Sequence, residues 1–203
     1  AISKELMRTE ADGGTVVNQA LCGFKIDRST SGSTGIPLRF YLDRNMLPKR
    51  LAVYRRMLDW AGRQKGDSVV RLMGREHPGT ESEGLWFKCE NLEDLEKRRS
   101  QLYAHLEGKV VLLQTWTSFA VRLAQLMEKD QKLFKFRAII SYAEQLYPET
   151  RSYLERVFRA PVYNYYANEE LTAIAQECPF KQGLHVNSEW VYSEIIDEHN
   201  QIL

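Results

Sequence analysis

Apolar and polar positions follow two rhythms along this chain, one of amphipathic helices and one of short buried strands. Leu47, Leu51, Tyr54 and Leu58 recur at helical spacing, which predicts a helix ending at Gly62. Val69 to Met73 reads as a strand, and Gly74 to Gly84, polar with glycines and a proline, as a loop. Asn91 to Leu106 is helical by its charges and by Leu92, Leu95, Leu102 and Leu106. Val110 to Gln114 is a short continuous apolar run, the mark of a buried strand. Ser118 to Lys129 is again helical, with Phe119, Leu123, Leu126 and Met127 on one face. Phe136 to Ile140 is the next strand. Pro148 opens a helix, as proline does well in a first turn, with Leu154 and Phe158 on its buried side. Val162 to Tyr166 is a third strand in this series. Val186 to Asp197 reads as further strand material, with Val191 and Ile195 pointing inward. Near the start, Asp12-Gly13-Gly14 reads as a turn.

Strand, helix, strand, helix, strand implies an α/β fold with a mostly parallel sheet flanked by helices and additional β-strands. In open parallel sheets, ligands bind beyond the carboxyl ends of the strands. Three polar segments begin where apolar runs stop: Thr115-Trp116-Thr117-Ser118, Ser141-Tyr142-Ala143-Glu144, and Tyr166-Ala167-Asn168-Glu169-Glu170. Together they offer a nucleotide an aromatic face, hydroxyls and a carboxylate for magnesium.

Composition narrows the partners. The 203 residues carry 28 basic and 27 acidic side chains, a formal charge of +1. No basic run forms a patch for nucleic acid or a membrane surface. No segment approaches the roughly 20 apolar residues of a membrane span. Ala1 to Glu10 lacks a signal-peptide pattern. Cys22, Cys89 and Cys178 are odd in number and widely spaced, which argues for a reducing compartment and a cytoplasmic protein.

The stretch Ser29-Thr30-Ser31-Gly32-Ser33-Thr34-Gly35-Ile36-Pro37 lies between hydrophobic segments Leu21 to Ile26 and Leu38 to Leu42. Its glycines let backbone N–H groups approach an anion, and its hydroxyls add donors. The plain alternative is a solvated hairpin turn. Glu169 and Glu170 have a plain alternative too, the acidic start of an element. Glu144 either caps the next helix or orients a site. Tyr163 and Tyr165 share a strand face, so only some of Tyr163, Tyr165 and Tyr166 can reach a ligand. Trp86, Phe87, Trp116 and Phe119 either line an aryl pocket or belong to the core. Cys178 and His185 are candidate zinc ligands, although two ligands do not make a structural zinc site. His77, His105 and His199 carry no partner legible in the sequence.

Thr30 to Pro37 resembles the phosphate loop, T-S-G-[ST]-T-G-x-P, of adenylate-forming enzymes. Ala138 to Leu146 resembles their "SGE-x-L" stretch, and Tyr163 to Glu170 their "YG-x-[ST]-E" motif. Ala175-Gln176-Glu177-Cys178, then Gly183-Leu184-His185, then Glu194 to Asp197 follow the order seen in one branch. That branch holds the phenylacetate–CoA ligases and relatives in capsular polysaccharide biosynthesis and coenzyme F390 synthesis. The resemblance runs from about Lys25 to Asp197.

The resemblance implies an enzyme that joins a carboxylic acid to ATP and passes the acyl group to a thiol, commonly coenzyme A. It assigns Thr30, Ser31, Gly32, Ser33, Thr34 and Gly35 to the β- and γ-phosphates. Ser141, Ala143 and Glu144, with Tyr165, Tyr166, Ala167 and Asn168, would border the nucleotide. Tyr166 would lie against the adenine or near the acyl group, and Glu170 would hold Mg²⁺. Family members are about twice as long, so residues 1–203 read as part of an N-terminal adenylation domain, without the C-terminal lid. Two family glycines are alanines here, Ala143 and Ala167, where a methyl group penalises a positive φ or crowds a nucleotide. They motivate a rival reading, a binding module that holds a nucleotide or acyl-adenylate without turnover. A third reading keeps the adenylation and changes the acceptor to an amine or a carrier protein. Oligomeric state stays open, a homodimer included.

Overall fold

The computed structural model describes residues 25–29, 39–73, 84–199 and 201–203. The Asp12-Gly13-Gly14 turn, Cys22, His77, the hydroxyl stretch Thr30 to Pro37 and most of the Gly74 to Gly84 loop lie outside the described residues.

Strands β1 (Lys25–Ser29) and β2 (Arg39–Asp43) pair antiparallel, with Ser29 opposite Arg39. A short 3-10 turn leads into α1 (Leu47–Trp60), which has Pro48 in its first turn. Gly62 follows it at φ 82°, and its N–H donates to the Asp59 carbonyl at 2.9 Å, so the helix stops where the sequence predicts.

Seven strands form the main sheet, in the order β4-β3-β5-β6-β7-β8-β9. They are β3 (Ser68–Met73), β4 (Leu85–Lys88), β5 (Val110–Trp116), β6 (Lys135–Tyr142), β7 (Val162–Asn168), β8 (Thr172–Glu177) and β9 (Leu184–Val186). The first five in that order pair parallel, and β8 and β9 extend the sheet antiparallel. Three further helices lie among the described residues: α2 (Leu92–Leu106), α3 (Thr117–Lys129) and α4 (Pro148–Phe158). Asn91 caps α2 by accepting from the Asp94 N–H at 2.9 Å, with Glu93 and Asp94 at the positive end of the helix dipole.

The sheet buries a different core on each face. Val70, Leu72, Leu113, Ile139 and Val162 pack against Leu95, Leu102, Phe119, Leu123, Met127, Leu154 and Phe158 of α2, α3 and α4. On the other face Val69, Leu112, Ala138, Ile140 and Tyr165 pack against Val53, Met57 and Leu58 of α1.

Three expectations change. β4 and β8 are strands that the apolar pattern does not announce. Val186 to Asp197 is mostly irregular, with strand structure confined to Leu184–Val186. Val191 is buried as expected, but Ile195 is 73% exposed. At the end of this segment Asp197 Oδ1 accepts from the N–H groups of His199 and Gln201, both at 2.8 Å, and turns the chain back on itself.

Candidate active site

The carboxyl ends of β5, β6 and β7 bring the three polar segments to one edge of the sheet. Parallel pairing sets Thr115 beside Ser141 and Trp116 beside Tyr142, and Ser141 beside Asn164. The buried hydroxyls of Thr117 and Ser141 bond each other at 2.8 Å. This contact latches the start of α3 to the end of β6.

Glu144 completes the latch. Its carboxylate accepts from the Ser118 N–H at 2.6 Å and from the Ser118 hydroxyl at 2.8 Å. It caps α3, the helix before it in sequence, and not the next helix. Trp116 at the N-cap has no oxygen to do so. A helix N-terminus at a strand end is a ready anion site, and here a protein carboxylate fills it. A phosphate bound at this edge therefore needs other donors.

Ala143 sits between β6 and Glu144 at φ 68°, in the left-handed region. An L-residue there costs roughly 1–2 kcal/mol, and glycine would not incur it. The latch over-determines this conformation from both sides. Ala167 lies in β7 at a register irregularity between Tyr166 and Ala167.

The tyrosines divide. Tyr165 is 3% exposed and points into the core beside α1, while Tyr166 is 58% exposed at the edge. Of the two, only Tyr166 presents a free aromatic face. Burial raises the Tyr165 and Tyr142 phenols well above their ordinary pKa; the nearby Arg71 charge acts against burial on both.

β7 and β8 are joined by a tight turn at Glu169-Glu170-Leu171, where Asn168 Oδ1 accepts from the Leu171 N–H at 2.7 Å. Asn168 is thereby a turn-forming residue. Glu169 acts electrostatically on Tyr142. Glu170 is half-buried and makes no hydrogen bond or ion pair among the described residues. An uncommitted carboxylate at this edge fits Mg²⁺, which is commonly held through one or two carboxylates plus phosphate oxygens.

The zinc expectation finds no support. Cys178 is buried, His185 is exposed, and the His185 ring meets Trp60 edge-on at 5.4 Å. Among the described residues no three His, Cys, Asp or Glu side chains come together as a metal site. The aromatic set also divides. Phe87 and Phe119 are buried in the core beneath α2 and α3, and Trp116 packs edge-on against Phe119 at 5.4 Å.

Trp86 leads to a group that the sequence reading passes over. Arg71 on β3 is only 4% exposed. Its guanidinium lies 4.6 Å from the Tyr54 ring centroid and 4.7 Å from that of Trp86. Its Nε donates to Gln114 Oε1 at 3.0 Å. The available signal was a charge inside the apolar run Val69-Val70-Arg71-Leu72-Met73.

A parallel sheet covered by helices, with its polar groups gathered at the carboxyl edge, is the class defined by this fold and site. The same fold occurs in solved acyl-CoA ligases. An open conformation of 2-hydroxyisobutyryl-CoA ligase, in complex with 2-HIB-AMP and CoA, superposes with a TM-score of 0.76 at 15% identity, covering 97% of this chain and 50% of that one. An acyl-CoA synthetase from Brucella canis gives 0.58 at 16% identity, over 87% of this chain and 34% of that one. ATP-bound MatB from Rhodopseudomonas palustris gives 0.52 at 16% identity, over 77% and 31%. The chain thus spans half or less of each of these chains. No family model matches the sequence, and no curated protein is significantly similar to it.

Among the described residues, no helix is long and apolar enough to cross a membrane.

Proposed function

We propose that this chain forms part of the N-terminal adenylation domain of an ATP-dependent acid–thiol ligase, of the phenylacetate–CoA ligase type. The carboxylate oxygen of the acid attacks the α-phosphorus of ATP, and the bond to pyrophosphate breaks. A thiol, coenzyme A in this reading, then attacks the acyl carbon and AMP leaves. The observation that carries the reading is the gathering of Ser141, Ala143, Tyr166 and Glu170 at one carboxyl edge, in motif order, within a fold shared with solved acyl-CoA ligases.

Each residue has a task in this scheme. Thr30, Ser31, Ser33, Thr34 and the backbone of Gly32 and Gly35 supply phosphate donors. They are needed because Glu144 already occupies the α3 N-terminus. Ser141 and Thr117 fix the edge, and Tyr166 offers its face to the adenine. Glu170 would hold Mg²⁺, which would supply charge neutralisation on the phosphates. Such chemistry draws mainly on positioning and charge stabilisation, and little on proton transfer.

The strained Ala143 favours a second reading, a module that binds nucleotide without turnover. Calorimetry with ATP and magnesium, together with acid-dependent exchange of pyrophosphate into ATP, separates the two. Binding with exchange supports the ligase, and binding without exchange supports the module. Neither binding nor exchange, across a broad panel of acids, defeats both.

A further inference from the structure

Arg71 is a buried cation on β3. No carboxylate among the described residues pairs with it, and its Nη1 is buried with no hydrogen-bond partner. A guanidinium stays charged in proteins, and a buried charge left unpaired is strongly disfavoured. The Tyr54 and Trp86 rings cover the guanidinium, and Gln114 satisfies Nε in its plane. Rings stabilise a cation but accept none of its in-plane hydrogen bonds. What stays open is the Nη1 group, whose N–H donors an anionic oxygen can accept from. The Tyr165 hydroxyl, buried and also without a partner, belongs to the same face of the sheet.

The position decides what kind of anion fits. Arg71 lies two residues before the end of β3, about 7 Å below the carboxyl edge at 3.3 Å per residue. An acid whose reacting carboxylate sits at the edge would direct its far end toward Arg71. Tyr142 feels the Arg71 charge, and its hydroxyl, which is also hydrogen-bonded with Trp116, donates to the Met73 sulfur at 3.5 Å. A thioether is a weak acceptor, so this contact gives way easily to a ligand.

We propose that Arg71 receives a second carboxylate at the far end of a short acid, so that the substrate class of this site is dicarboxylic. Arg71 Nη1 and the Tyr165 hydroxyl donate to that carboxylate, and Tyr54 and Trp86 hold the guanidinium flat. The identity of the reacting end rests on the adenylation reading; the anion site itself does not.

The test is calorimetric titration of the intact protein with succinate, glutarate and adipate, against butyrate, valerate and hexanoate. Trp86 fluorescence is followed in parallel, with Trp86→Phe to identify the signal. At least one dicarboxylate should bind tenfold or more tightly than the monocarboxylate of equal length. Arg71→Met should remove that preference, Arg71→Lys should restore part of it, and Tyr165→Phe should weaken binding about fivefold, as loss of one hydrogen bond does. If Arg71→Met fails to fold, Arg71→Lys and Tyr165→Phe carry the comparison. Equal binding of both acid series, or a preference untouched in Arg71→Lys and Tyr165→Phe, overturns the proposal. Pyrophosphate exchange separates the two readings. Arg71-dependent binding without exchange sinks the adenylation reading and leaves the anion site. Exchange with monocarboxylates alone does the reverse.

Discussion

Both faces of the sheet bury an apolar core, but one of them buries a charged side chain with it. Toward α2, α3 and α4 the strands present Val70, Leu72, Leu113, Ile139 and Val162, and the core is apolar and closely packed. Toward α1 the same strands present a second apolar set, Val69, Leu112, Ala138 and Ile140, but beside it stand Arg71, Gln114 and Tyr165, polar groups that are almost fully buried. Polar atoms left unpaired in a core cost stability. The difference marks the α1 face as one where buried polar atoms, the Arg71 Nη1 and Tyr165 hydroxyl among them, lack partners.

The largest contrast comes from paired substitutions. Phe158→Ala on the α4 side should lose about 3–5 kcal/mol, because a fully buried aromatic leaves a cavity. Arg71→Met on the other face should leave stability within about 1 kcal/mol of the parent or raise it, since a buried unpaired charge gives way to an apolar chain of similar length. Urea unfolding of both variants measures the contrast. A large loss in Arg71→Met would place Arg71 among the groups that hold the fold together.

Next in size is the clamp between α4 and the antiparallel strands. Arg151 meets Glu177 through two bonds of 2.7 and 3.0 Å, and Glu177 also accepts from the Asn164 N–H at 2.7 Å. Arg151→Ala should cost about 3 kcal/mol by leaving the largely buried Glu177 carboxylate unpaired. The polar groups of this clamp all have partners, unlike those around Arg71.

Asp67 gives the comparison a pH axis. Burial of its carboxyl works to raise its pKa, but hydrogen bonds from Arg137 and the Gln64 N–H and the Arg137 charge outweigh it, leaving the pKa below the ordinary value. Its contribution is therefore fully present above the unfolded pKa of about 3.9 and is lost as pH falls through the folded value. Asp67→Asn should be less stable than the parent at neutral pH, and the gap should close below about pH 4. A gap that stays constant to acid would mean the pair contributes nothing through charge.

The smallest effects concern two hydroxyls. Tyr103 donates to Asp130 Oδ2 at 3.2 Å, so Tyr103→Phe should cost about 1 kcal/mol. Tyr165→Phe removes a hydroxyl with no partner and should be neutral or slightly stabilising. Equal losses would mean that the Tyr165 hydroxyl has a protein partner.

The sequence carried the parallel part of the fold because buried strands are written as continuous apolar runs. Val110 to Gln114 and Phe136 to Ile140 sit at the centres of β5 and β6. β8 was illegible because Thr-Ala-Ile-Ala-Gln-Glu is built of small and polar residues, and it exists by pairing with β7. The penalty at Ala143 was readable, since a methyl group in place of a family glycine marks a turn with positive φ. The role of Glu144 was not, because its partner Ser118 lies 26 residues away on another element. Arg71 stood out as a charge within an apolar run, but Tyr54, Trp86 and Gln114 reach it from a helix and two other strands.

The central claim is that the carboxyl edge activates an acid with ATP, with Glu170 holding the metal. Acid-dependent exchange of labelled pyrophosphate into ATP, comparing the intact protein with Glu170→Gln, tests it most directly. The account predicts exchange that requires both an acid and magnesium and falls about 100-fold in the variant. Thermal unfolding should be unchanged, because Glu170 bonds to no other described residue. Exchange that proceeds equally in Glu170→Gln, or no exchange with any mono- or dicarboxylic acid, would contradict it.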